Sequence, residues 1–262
     1  REVILSTIAA TTPPFVVGWV LELGGRFGLF AVDRGYRALG VVSLFLLFWA
    51  GKKITTSQLD QPKFRKLWVG KASSLWNTAR LVELARGIQN GLDLFIIPLV
   101  IFNFLGKEGS LGTMQSIAAI VGVVILYSLA RFLKPAKRLI TLRLDILALV
   151  CLALIFALGF SPLTALIYVI FAAAISHISW MASNPISMKT IDQEDGGDNT
   201  DNYAYVCDRE MFLNIGRFIG VVIFLALISL TSQQVGLRFM PVIAALSQVI
   251  FYLYVAKLDA KR

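Results

Sequence analysis

Long apolar runs alternate with short polar stretches along the whole chain. The runs cover approximately 3–23, 37–53, 83–105, 111–131, 139–159, 162–183, 210–231 and 235–256. A helix crosses the hydrocarbon core of a bilayer in about 20 residues, so the pattern predicts eight membrane-spanning helices. Helix is the expected element because a spanning segment must satisfy its own backbone hydrogen bonds. The second run is the shortest, its apolar centre reaching only from Ala38 to Ala50, and the first carries Pro13-Pro14, which predicts a kink. The "GFSP" connection at 159–162 is short enough to force antiparallel neighbours.

Composition places the chain in the same class. Of its 262 residues 57% are hydrophobic and 16% are charged, against about 25% charged in a soluble domain, and the mean hydropathy is +0.73. The formal charge of +9 does not point to nucleic acid, because the basic residues sit between apolar runs, where they report orientation. Segments 52–80 and 131–138 and the C-terminus are rich in Lys and Arg. They fall on one side of an eight-span chain, and an excess of basic residues makes that side cytoplasmic. Arg26, Arg34 and Arg37 depart from this rule. The stretch 54–80, with Phe64, Leu67 and Leu75 among its basic residues, reads equally as an amphipathic surface helix with Trp68 and Trp76 at the headgroups, or as a flexible link. Residues 184–208, with six acidic residues from Asp192 to Asp208, read as a solvated cytoplasmic loop without the ligand spacing of a calcium site. Two cysteines and one histidine provide neither a disulfide framework nor a metal set, so no metal and no cofactor is expected.

Two helices, a basic linker and six more helices resemble the major facilitator superfamily from its fifth helix onward. "REVIL" opens the first span and "REMFL" the seventh, so that Arg1, Glu2 and Leu5 match Arg209, Glu210 and Leu213 at a separation of six spans. "RGYRALG" at 34–40 and the basic "ARFLKPAKRLITL" at 130–142 stand where that family has the entry to its sixth helix and a cytoplasmic loop. The latter lacks the family's glycines and aspartate, and "TTPPFVVGWVLELGG" lacks the antiporter signature. The resemblance implies an all-α integral membrane protein in three parts. Residues 1–53 would be the last two helices of an incomplete N-terminal bundle, 54–82 a cytoplasmic linker, and 83–262 a six-helix bundle of two three-helix repeats. It further implies secondary transport of a small solute, with or without proton coupling, in a bacterial inner (plasma) membrane. The expected partners are that solute, the lipid bilayer and four missing N-terminal helices of the same protein.

Polar residues inside the spans carry the candidate chemistry, since charge within a bilayer is retained only where it faces protein or water. In "ELARGIQNGLDLF" at 83–95, Arg86, Asn90 and Asp93 share one helical face bordered by Gln89. Asp93 lies about 20 Å along the helix from Arg80, near mid-membrane. It is read as a solute or proton site, the alternative being a structural ion pair with Arg86 or Arg143. His177 and Tyr168 are expected to join it from the sixth span, with His177 read equally as a proton carrier or as a helix-to-helix hydrogen bond. Glu210, Asn214 and Arg217 share a face at the cytoplasmic end of the seventh span, and Arg143 and Asp145 stand at matching depth in the fifth. These five are expected to form a charge network, either a conformational latch or a static anchor. An enzyme is not expected, because neither a metal cluster nor a nucleophile elbow is in view. A multi-pass enzyme and a non-transporting scaffold or receptor are the alternatives.

Overall fold

The computed structural model describes residues 2–56, 68–106, 108–132, 137–196 and 202–260, with side chains described outside 2–11, 126 and 129–132. The helices are α1 (Glu2–Arg26), α2 (Val32–Thr56), α3 (Ser74–Leu105), α4 (Glu108–Phe132), α5 (Arg138–Gly159), α6 (Pro162–Glu194), α7 (Asn202–Leu230) and α8 (Gln233–Ala260). Among the described residues no strand is present. Among the described residues, seven helices, α2 to α8, are long and apolar enough to cross a membrane, α4 over Glu108–Ile125. The chain is an all-helical integral membrane protein. Residues 57–67 of the predicted linker lie outside the described residues, as do the side chains of the "REVIL" segment.

Every predicted run lies within a helix to within one residue, but several helices continue beyond the apolar limits. α3 starts at Ser74, inside the stretch read as linker. The Ser73 hydroxyl caps it by accepting from the Trp76 backbone N–H at 2.9 Å. Trp76 is buried and meets the Tyr205 ring edge-on, centroids 4.7 Å apart. The acidic stretch 184–208 is mostly helix rather than loop, because α6 runs to Glu194 and α7 begins at Asn202. Ser187, Thr190 and Ile191 are buried there, and Ser73 donates a hydrogen bond to Glu194 at 2.5 Å. Interhelical packing outlasts the apolar run, so hydropathy alone ends these helices too early.

At the opposite end the chain turns tightly. Phe160 adopts the left-handed conformation (φ 32°), and Ser161, Pro162 and Thr164 form a capping box that opens α6. The Arg238 guanidinium donates to the free carbonyls of Ala157 and Leu158 (3.3 Å to the latter) at the end of α5.

Two apolar clusters fill the bundle. One gathers Leu92, Ile96, Phe156, Tyr168, Phe224 and Met240, with their neighbours. The other gathers Trp76, Val82, Leu142, Ile186, Phe251 and Leu258. Between these clusters along α3, α6 and α8 lie Arg86, Gln89, Asn90, Ser176, His177, Ser179 and Gln248.

Glycines set two helix crossings. Gly87 and Gly91 of α3 face Gly216 and Gly220 of α7, and a Cβ on any of the four would collide with the partner's backbone. Both pairs have the small-xxx-small spacing that lets membrane helices approach closely. α1 packs chiefly along α4 and only lightly against α2, with Gly18 of α1 against Gly112 of α4. Among the described residues α2 packs against no helix but α1, and no residue of α2 is buried.

Candidate functional site

Successive turns of α3 present Arg86, Gln89, Asn90 and Asp93 toward α6, as their three-to-four spacing predicts. They border two cavities that meet at His177. The first, about 320 Å³, is lined by Arg86, Gln89, Asn90, Ser176, His177, Ser179, Trp180, Gln248 and Phe251. The second, about 310 Å³, is lined by Asp93, Gln115 and His177 among apolar groups such as Ile97, Pro98 and Val169. Each has about the size of a small-ligand site.

Asp93 lies beside the Gln89 side chain one turn earlier on α3. His177 Nδ1 lies 2.7 Å from the Ala173 carbonyl oxygen. A carbonyl only accepts, so Nδ1 carries the proton and Nε2 is left as an acceptor in the neutral ring. Gly122 of α4 lies against the imidazole and leaves room for it. Tyr168 lines neither cavity. It is 2% exposed, stacked on Phe156 with centroids 5.4 Å apart, and within electrostatic reach of Asp93.

Arg86 does not pair with Asp93. Its Nη1 lies 3.2 Å from Glu83 Oε2, its Nη2 donates to Ser183 at 2.6 Å, and its guanidinium lies 5.2 Å from the Phe251 ring centroid. Glu83 is 2% exposed and also meets Arg209 of α7 at 3.2 Å and the Ser187 hydroxyl at 3.1 Å. A second ionic cluster lies nearer the start of α3. Asp208 accepts from Arg80 Nε at 2.7 Å and Nη2 at 2.8 Å, and from the Trp76 indole at 2.7 Å. Sequence reasoning placed none of Glu83, Arg209, Asp208, Arg80 and Ser187 in a site. The usable signal was Gly87-x-x-x-Gly91 with Gly216-x-x-x-Gly220, which marks α3 and α7 as partners and brings "DRE" at 208–210 beside Glu83.

The five residues grouped as a cytoplasmic charge network are not brought together. On α7, the Asn214 amide donates to the Glu210 carbonyl at 2.8 Å and Arg217 donates to Asn214 at 3.0 Å, all three exposed. α5 makes no contact with α7, so Arg143 and Asp145 stand apart from them. Arg143 is exposed. Asp145 is 5% exposed and faces Ser179, and neither of its carboxylate oxygens has a hydrogen-bond partner. Matching depth along two helices does not make them neighbours.

No protein-family model matches the chain, and no solved structure matches it. The uncharacterized protein YqgE of Bacillus subtilis (strain 168) is 24% identical over 265 residues, an alignment that covers 98% of this chain and 60% of that protein. The chain thus spans about three fifths of the length of the curated relative that it matches.

Proposed function

We propose that the chain is part of a secondary transporter that moves a small solute across a bacterial inner membrane by alternating access. The observation that carries this reading is the pair of solute-sized cavities meeting at His177, one bordered by Arg86 and the other by Asp93. A permanent charge and a carboxylate beside a cavity within apolar helices mark a solute or ion path. Asp93 and His177 favour proton coupling, since the neutral imidazole has Nε2 free to accept a proton.

The arrangement of helices supports a major-facilitator-like plan. In this plan α3 to α8 form one bundle of two three-helix repeats over 83–262. Residues 1–53 contribute two helices of another bundle, and 54–82 link the two. α1 packs chiefly on α4, and the unburied surface of α2 has room for the remaining helices of its own bundle. The length of the curated relative beyond the aligned region is consistent with such helices. Alternating access needs both bundles, so the 262 residues by themselves are expected not to transport.

Reconstitution of the full-length protein in liposomes, with a solute panel and an imposed proton gradient, tests this reading. Asp93→Asn keeps size and hydrogen bonding and removes the charge. Coupled uptake is expected to be abolished with folding unchanged by circular dichroism. Undiminished uptake at all pH values ends the assignment of Asp93.

A further inference from the structure

The cavity beside Arg86 has a chemical character that the transport reading leaves open. Arg86 is the one formally charged group among its described lining residues. Its partner Glu83 is shared, because Arg209 stands at the same 3.2 Å from that carboxylate. One carboxylate between two guanidiniums leaves a positive charge in excess. Glu210 is also within electrostatic reach of Arg86, but it is exposed on α7 and screened. Asp145 lies behind Ser179, and Asp93 belongs to the other side of His177, so no carboxylate lines this cavity.

Gln248 supplies an independent observation. It lines the cavity, it is 2% exposed, and its Nε2 has no hydrogen-bond partner. Buried amide donors in folded proteins are almost always paired. A bound acceptor in the cavity would satisfy this one. Phe251, against the guanidinium, restricts its orientation. A planar, permanently charged donor fork beside amide donors suits a carboxylate better than an alcohol or an amine.

Building on the transport reading, we infer that this cavity binds a small organic anion with one negative charge, a carboxylate that carries further hydrogen-bonding groups. Arg86 is the counter-charge, and the amides of Gln248, Gln89 and Asn90 are donors to it.

The test uses the full-length protein with its cysteines, including Cys151 and Cys207, replaced by serine, and Ser176→Cys as a reporter in the cavity wall. Rates of modification by an anionic sulfonatoethyl and a cationic trimethylammonioethyl methanethiosulfonate are each divided by the rate with free mercaptoethanol. A focused positive field is expected to favour the anionic reagent by on the order of ten-fold. Gln248→Glu is expected to invert the preference and Gln248→Asn to keep it. Arg86→Gln is expected to remove it, and the Gln248 pair decides the matter if that variant fails to fold. Equal rates, faster cationic labelling, or no labelling by either reagent overturns the inference. The reagents report charge without turnover, so failure of transport in liposomes with the anionic preference intact would count against the transport reading alone.

Discussion

Two glycine crossings hold this molecule together, and their surroundings differ. Where α3 meets α7, two glycines on each helix bring the backbones together. The seam is flanked by Arg80–Asp208–Trp76, by Arg86–Glu83–Arg209, and by Phe95 stacked on Phe224 with centroids 4.6 Å apart. Where α1 meets α4, Gly18 opposes Gly112. Its polar support among the described residues includes the Trp19 indole donating to Thr113 at 3.0 Å and the Glu22 carboxylate accepting the Gly109 N–H at 3.0 Å. Lipid tails are as apolar as leucine, so helices in a bilayer are held by close packing and polar contacts rather than by hydrophobic drive. The first crossing has both in depth and is a permanent seam. The second packs closely as well, but its described polar contacts are fewer and gather near the start of α4.

Changes to the buried ionic groups break the α3–α7 seam most severely. Glu83→Gln leaves Arg86 and Arg209 facing each other without the carboxylate they share, and the expected loss is about 3–5 kcal/mol. Thermal unfolding of the full-length protein in detergent measures it, and adding Arg209→Gln should recover part of the loss. A Glu83→Gln protein as stable as the parent would mean that the seam does not rely on this carboxylate.

Gly216→Leu comes next. The new side chain meets the backbone of Leu84 and Gly87 rather than a movable side chain, so a cost of about 3 kcal/mol, the upper part of the usual overpacking range, is expected. Gly112→Leu sharpens the comparison. It should leave the unfolding of α3 to α8 nearly unchanged and instead free α1, seen as faster labelling of a cysteine at Thr113. Equal destabilisation by the two substitutions would erase the distinction between the crossings.

Trp76→Phe removes the indole donor to Asp208 while Arg80 remains bound to it. A hydrogen bond to a charged group is worth about 1.5–3 kcal/mol, and the retained guanidinium should hold the loss to the lower end. The smallest effect belongs to Glu22→Gln. A carboxylate at a helix N-terminus contributes about 0.3–1 kcal/mol, and its loss should speed Thr113 labelling modestly without changing the melting temperature. A large fall in melting temperature would make the α1–α4 contact part of the permanent structure.

The candidate site was partly legible in the chain. The face that carries Arg86, Asn90 and Asp93 follows from helical spacing alone, and these residues do border cavities, with His177 between them. Tyr168 was placed on the correct helix, but it packs against Phe156 instead of lining a cavity. Gln248 and Ser179 were not legible, because an isolated polar residue in an apolar run has no partner written beside it. Glu83 lay at the edge of its run and read as a boundary residue. Its burial depends on Arg209 and Ser187, each more than a hundred residues away.

The chain by itself determined that the molecule is helical and membrane-embedded, where its helices lie to within a few turns, and which polar groups share a face of α3. Apolar runs need no partner to signal a span, and the period of the helix is local geometry. Tertiary structure decided where the helices end, since packing around Trp76 and Thr190 extends α3 and α6 past their apolar limits. It also decided that Arg86 pairs with Glu83 instead of Asp93, that Asp145 stands apart from α7, and that an unpaired Gln248 amide lines the cavity. One apolar helix face is much like another to its neighbours, so the order of helices in the bundle, and with it every charge pairing between helices, depends on where small residues allow two backbones to meet.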